Sequence, residues 1–297
     1  MSFICTMISR YESLLISHPT KVHTPQCAEV FVRAFVHHYE TLYQKHLAEG
    51  RKRKTSALSS AQSYISRFKK LLAQRGAPAS FLNGLHLTRD EIRRLNIEKN
   101  AAVHAGAIDL HEIKGDAVIM DCRAFLRHEN PILVVIGLAC LTGRRMAEII
   151  LTAEFNPPED KHFTSSRYWT SLGGILKRRT KAEREKTREV PLLAPREDIV
   201  AAIRRVRDEL PASTPAQVNA KYAKRISRAM RKYCPVIGKL HQFRKFYVLC
   251  CFQYFNERNC SLPRLASDYL GHKNLSQTVI TYLNFRVTDL GGLNFKY

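Results

Sequence analysis

The sequence predicts a mainly α-helical protein with one small antiparallel β-sheet, organised as two domains. Three observations predict it. The chain is 297 residues long, beyond the usual size of a single domain. Apolar residues recur at helical spacing through the first third and again through most of the second half. Between those stretches, short aromatic, β-branched and aliphatic runs break the helical pattern. Hydrophobic residues form 45% of the chain, enough to fill well-packed cores, and the composition carries no mark of disorder.

The first clear helix opens at Thr24-Pro25, a capping hydroxyl followed by a first-turn proline, and carries Ala28, Phe31, Phe35, His38, Tyr39 and Leu42 at helical spacing. A second places Ala61, Tyr64, Ile65, Phe68, Leu71 and Leu72 on one face and ends near Gly76. A third starts near Thr88, with Glu91 as its capping-box partner. Between the first two lies Arg51-Lys52-Arg53-Lys54. The span from Lys45 to Arg75 holds nine Lys or Arg against one Glu, Glu49. That density makes Arg51, Lys52, Arg53 and Lys54 candidate DNA contacts, with a solvated basic surface as the alternative. The pattern loosens between Gly106 and Asp116, which places the domains at 1–115 and 116–297.

The second domain begins with a helix near Asp121. It continues into Ile132–Leu141, a stretch without a polar face that should form a central core helix. Thr142-Gly143-Arg144-Arg145 follows, then a helix carrying Met146, Ile149 and Ile150. The sheet is expected from Arg167–Thr170, Leu172–Lys177 and Arg188–Leu193, the last two joined by a charged hairpin tip, Arg178–Thr187. Helices resume at Thr214-Pro215-Ala216-Gln217, another capping box. In that helix Lys221, Arg225, Arg228 and Lys232 make a basic stripe, either solvated or in contact with DNA.

The formal charge is +22, from 48 Lys and Arg against 26 Asp and Glu. Self-repulsion of that size favours a polyanionic partner, and nucleic acid comes first because neutralised phosphates release their counterions. The longest apolar run, Pro131–Leu141, is about half of what a bilayer crossing needs, and no secretory or lipidation signal is evident. The eight cysteines show no C-x-x-C spacing, which suits neither zinc nor a disulfide framework and fits buried thiols in a reducing cytoplasm. No phosphate-cradling Gly-rich loop and no carboxylate or Cys/His metal cluster stands out, so neither metal nor cofactor is expected.

Three fragments carry the chemistry: Thr142-Gly143-Arg144-Arg145-Met146-Ala147-Glu148, His241-Gln242-Phe243-Arg244, and Leu270-Gly271-His272 with Tyr282 ten residues after the histidine. Each is weak alone. In this order, and in a strongly basic chain, they resemble the catalytic signature of the tyrosine recombinase superfamily. The resemblance covers about residue 118 to the end. It implies a two-domain architecture, a helical DNA-clamping domain followed by a mixed α/β catalytic domain.

The resemblance also implies roles. Arg145, the final residue of T-G-x-R, and Arg244 would hold the phosphate attacked by the nucleophile, Tyr282. Glu148, one helical turn after Arg145, would support that arginine. His241 and Arg244 would share one helix face. The family's general acid is a hairpin lysine, which makes Lys177 the first candidate and Lys181 the second. The residue types suit the reaction: attack on a phosphodiester gathers negative charge on the non-bridging oxygens, and guanidiniums donate two hydrogen bonds each while staying protonated. His272 can add a donor, and His241 can donate or accept the tyrosine proton.

Within the superfamily, the doubled arginine of T-G-R-R-x-x-E-I, the following Thr152-Ala153-Glu154-Phe155, the G-x-L-K at Gly174–Lys177 and the setting of Tyr282 resemble telomere resolvases (protelomerases), which make covalently closed hairpin DNA ends. The implied partner is double-stranded DNA with an inverted-repeat site, bound by a homodimer or higher assembly. The implied setting is the cytoplasm, for a protein that is prokaryotic or encoded by a phage or plasmid. An integrase-type recombinase, a type IB topoisomerase and an inert DNA-binding protein are the alternatives.

Overall fold

The structure is a computed structural model. It describes residues 3–18, 22, 24–51, 56–108, 111–176, 187–256, 259–271 and 285–295. Two compact units divide at Ala102/Val103.

The first unit contains α1 (Phe3–Ser17), α2 (Pro25–Ala48), α3 (Ala57–Ala73), α4 (Ala79–Gly84) and the greater part of α5 (Arg89–Ile108). Its core is aromatic: Phe31 stacks on Phe68, Phe35 tilts against Phe68, and Tyr11 and Phe31 meet Phe81. The expected helix starts are real. Thr24 accepts from the Cys27 N–H, and the Thr88 hydroxyl and Glu91 carboxylate cap each other's backbone N–H groups. Glu91 also takes a two-pronged contact from Arg33, at 2.7 and 2.8 Å, tying α2 to the start of α5.

In the second unit β1 (His111–Lys114) leads into α6 (Gly115–Phe125), then α7 (Pro131–Thr142). Every residue of α7 from Ile132 to Thr142 is buried, as its unbroken apolar sequence requires. Around it pack α6, α8 (Arg196–Glu209), α9 (Pro215–Tyr233) and α10 (Phe243–Tyr254); α11 (Leu262–Leu270) lies against α10. A three-stranded antiparallel sheet has the order β2 (Glu154–Asn156), β3 (Trp169–Gly173), β4 (Arg188–Pro191).

The structure corrects several expectations. α5 runs unbroken through Ile108, into the stretch from Gly106 where the sequence pattern loosens, and β1 pairs in parallel with β5 (Phe285–Thr288), a partner far away in sequence. The helix expected near Asp121 starts at Gly115. The runs Arg167–Thr170 and Leu172–Lys177 are not two strands. One strand, β3, spans their junction, and all five of its residues are buried, so no alternation reveals it. Gly174, with φ of +67°, follows that strand, and a Cβ there would collide with the Thr152 carbonyl, so the position requires glycine. The third strand, β2, is only three residues long and was not expected. The hairpin tip Arg178–Thr187 lies outside the described residues except for Thr187.

Among the described residues no helix is long and apolar enough to cross a membrane. Cys122, Cys140, Cys250 and Cys251 are buried, whereas Cys27, Cys234 and Cys260 are partly buried and Cys5 is exposed, so only half of the eight are the buried thiols expected.

Candidate active site

The site is assembled on the turn that ends α7. Asn130 and Pro131 start this helix and Gly143 stops it in the left-handed conformation, with φ of +64°. A Cβ at Gly143 would run into the ring of Tyr247, so the close approach of α10 also demands glycine. The Thr142 hydroxyl donates to Leu138 O at 2.6 Å and accepts from the Arg144 N–H at 3.3 Å, which fixes the turn.

The two arginines that follow face different surroundings. Arg144 is 2% exposed. Its Nε donates to Thr142 O at 3.0 Å and its Nη2 to Tyr269 O at 2.7 Å. Its Nη1 is buried with no hydrogen-bond partner among the described residues. Arg145 keeps 24% of its side chain exposed. Its Nη1 donates to Glu148 Oε1 at 2.7 Å and its backbone N–H to Glu148 Oε2 at 3.1 Å.

Glu148 opens a π-helical turn (Glu148–Thr152), closed by the Ala153 N–H donating to Glu148 O. The expected helix with Met146, Ile149 and Ile150 is therefore a short helical turn widened into this π segment, which presents the buried Glu148 to the arginines. Burial alone would raise the Glu148 pKa. The guanidiniums of Arg144, Arg244 and Arg145 outweigh that and hold it below the usual carboxylate value. For Arg144, burial is the leading cause and lowers its pKa, with Glu148 opposing.

Arg244 comes from the first turn of α10 and is 3% exposed. Its Nη1 donates to Gly143 O at 2.6 Å and lies 3.8 Å from Glu148 Oε2; its Nη2 donates to Leu270 O at 3.3 Å. Glu148 thus gathers Arg145 and Arg244 in one place, as the sequence motif requires. His241 is exposed and sits on a 3-10 turn, Leu240–Gln242, just before α10. The two residues of H-x-x-R therefore stand on consecutive turns of different pitch rather than on one face of a single α-helix.

Lys177, Lys181, His272 and Tyr282 lie outside the described residues, as do Lys52, Arg53 and Lys54. Arg51 is exposed. On α9 the stripe residues Lys221, Arg225, Arg228 and Lys232 are all exposed, while the same helix buries Val218, Tyr222, Ile226 and Met230. Lys221 Nζ donates to Pro211 O at 3.1 Å and Lys232 Nζ lies 4.8 Å from the Tyr233 ring centroid. Sequence reasoning missed Arg144 and Arg188. The doubled arginine was the available signal for the first; Arg188 looks like any strand-opening residue.

The arrangement brings two guanidiniums to a buried carboxylate, a setting for a phosphodiester under attack. The fold agrees. The chain is similar to a variant of protelomerase TelA covalently complexed with substrate DNA, at 20% identity and a TM-score of 0.67, covering 84% of this chain and 83% of that one. It is also similar to selenomethionine protelomerase TelA covalently complexed with substrate DNA (TM-score 0.68, 20% identity, 88% and 82% covered). The third similarity is to protelomerase TelK complexed with substrate DNA (TM-score 0.60, 16% identity), where it covers 81% of this chain and 50% of that one. The chain therefore has the fold of these protelomerases. Residues 109–285, more than half of the chain, match the telomere resolvase ResT/TelK catalytic domain, and the chain belongs to that family. No curated protein matches it.

Proposed function

We propose that this telomere resolvase cuts double-stranded DNA at an inverted-repeat site and rejoins it as two covalently closed hairpin ends. The observation that carries the reading is the convergence of Arg145 and Arg244 on Glu148, inside the span that matches the telomere resolvase catalytic domain. The Tyr282 hydroxyl attacks the scissile phosphorus and forms a 3′-phosphotyrosyl bond. The 5′ oxygen leaves with a proton from a hairpin lysine, Lys177 first and Lys181 second. A 5′ hydroxyl of the opposite strand then attacks the phosphotyrosine, closing the hairpin and releasing the tyrosine. Arg145 and Arg244 neutralise the charge that builds on the phosphate oxygens. His272 donates to the same oxygens, and His241 accepts or relays the tyrosine proton.

The phosphotyrosine conserves the energy of the broken bond, so no nucleotide is needed. Residues 1–115 clamp the DNA, with Arg51, Lys52, Arg53 and Lys54 among their contacts, and residues 116–297 do the chemistry. Two copies act on one site, since an inverted repeat presents the same half-site twice. The setting is the cytoplasm of a prokaryote.

The test is incubation with inverted-repeat DNA followed by a denaturing gel. Hairpin products run as single strands of double length. Relaxed plasmid without site dependence, or recombinant joints without hairpins, would overturn the reading.

A further inference from the structure

A helix ends with four carbonyls that lack partners within the helix. At the end of α11 the Gly271 N–H still serves Ser267 O, and the next three carbonyls, those of Asp268, Tyr269 and Leu270, each accept from an arginine. Arg188, on β4, donates its Nη1 to Ser267 O at 3.2 Å and Asp268 O at 3.1 Å. Arg144, on the turn after α7, donates to Tyr269 O, and Arg244, on α10, donates to Leu270 O. The Arg188 guanidinium also lies on Gly271: a Cβ there would stand 3.3 Å from its Nη1, and the φ of +74° further favours glycine. Cations at a helix C-terminus are electrostatically favoured, which helps three of them to share so small a space.

The clamp joins two parts of the site. Arg244 bonds Gly143 O through one Nη atom and Leu270 O through the other, so one rigid planar group sets the separation of the two segments. Arg144 makes the second cross-link between them. One segment bears Arg145. The other is the end of α11, from which the chain passes through Gly271 to His272.

We propose that Arg144 and Arg188 are positioning residues of the cleavage reaction, Arg144 locking the end of α11 to the Thr142–Arg145 turn and Arg188 locking it to β4, and so fixing where the chain sets out towards His272 and Tyr282. This rests on the site being the DNA-cleaving one. Neither residue touches the phosphate. Arg144 is buried and its guanidinium serves Thr142 and Tyr269, while Arg188 serves the helix end.

The experiment uses the full chain with inverted-repeat DNA and compares Arg188→Ala, Arg188→Lys and Arg144→Met with the unaltered protein. Three quantities are read: the dissociation constant, the single-turnover cleavage rate at saturating protein, and amide hydrogen exchange over residues 262–271 of the free protein. Arg188→Ala should bind within about twofold and cleave about 10- to 100-fold more slowly, the scale of a small misplacement of reacting groups. Exchange at the end of α11 should accelerate. Arg188→Lys should recover most of the rate, because an ammonium can still reach one carbonyl.

Normal cleavage by Arg188→Ala would overturn the proposal, and so would slow cleavage without faster exchange. Weaker binding with a normal bound-state rate would make Arg188 a phosphate contact, with the same consequence. If Arg144→Met fails to fold, the Arg188 pair decides alone. Failure of the unaltered protein to cut the DNA is a separate outcome, and it overturns the functional reading itself.

Discussion

Arg145 is bonded twice to Glu148, through Nη1 at 2.7 Å and through its own backbone N–H at 3.1 Å. The carboxylate is fully buried while the guanidinium remains about a quarter exposed, so the acid orients the arginine from beneath. Glu148→Gln keeps the shape and removes the charge, leaving Arg144 and Arg244 buried without their anion. Breaking such a pair from one side costs about 3–5 kcal/mol. Urea unfolding at neutral pH should show a loss on that scale, and an unchanged midpoint would mean that the charge is idle. The folded Glu148 pKa is depressed, so its contribution is complete above the ordinary carboxylate range and disappears as the pH falls through the folded value.

Arg145 and Arg244 should separate in their effects. Arg145→Ala removes a partly exposed side chain, so stability should change little while single-turnover cleavage falls about 100- to 1000-fold. Arg244→Ala should cost rate and also stability, since it leaves Gly143 O and Leu270 O without their donor in a buried place. Thermal unfolding measured beside cleavage checks this. Equal melting temperatures for the two variants would contradict the asymmetry.

The first unit carries its own acid-sensitive contact. Arg33 and Thr88 hold the Glu91 pKa at about 2, against an ordinary value of 4.5. As the pH falls the unfolded chain takes up this proton first. The stabilisation is therefore whole above about pH 4.5 and is lost progressively towards pH 2. Because Arg33 is 43% exposed, its worth is about 1–2 kcal/mol. Glu91→Gln should lose that amount at pH 7 and become nearly insensitive to acid between pH 5 and 3, read by unfolding of the full chain with a probe in residues 1–102.

Local signals made much of this fold legible. Thr24, Thr88 and Thr214 announce their helices because capping is settled within four residues. The apolar run of α7 identifies the central helix for a similar reason, since a helix without a polar face has to be surrounded. What the sequence hid depends on distant partners. β1 pairs with a strand at the other end of the chain, β2 is three residues long, and β3 is buried on both faces and shows no alternation. At the site, T-G-x-R, Glu148 and H-x-x-R were readable as motifs, and the meeting of Arg145 and Arg244 followed from them. The inward turn of Arg144 and the reach of Arg188 to α11 were not readable, because their partners are backbone carbonyls, which no sequence distinguishes.

Tyr282→Phe should bind DNA as the unaltered protein does and give no protein–DNA adduct that survives denaturant. The unaltered protein should form that adduct in EDTA and without ATP, since the proposed chemistry draws on neither metal nor nucleotide. Denaturing gels of trapped reactions decide both points. An adduct in the phenylalanine variant would move the nucleophile to another tyrosine, and an absolute need for a divalent metal would remove the mechanism.

The net charge of +22 and the exposed stripe on α9 make a quantitative forecast for binding. Each phosphate neutralised releases counterions, so the logarithm of affinity falls with the logarithm of salt by about 0.9 per contact. For several contacts, a few-fold rise in salt should cost at least about an order of magnitude. Arg225 and Arg228 are the informative positions within the stripe, because Lys221 and Lys232 already have partners in the protein at Pro211 and Tyr233. If Arg225 and Arg228 each meet a phosphate, each change to Ala should reduce the slope by about 1. The bound-state cleavage rate should stay near normal, since neither residue touches Glu148 or the carbonyls of α11. Binding titrations at four or five salt concentrations read the slope directly. Should both variants keep the parental slope, the stripe is a solvated helix face, and the phosphate contacts must be sought in the basic span from Lys45 to Arg75.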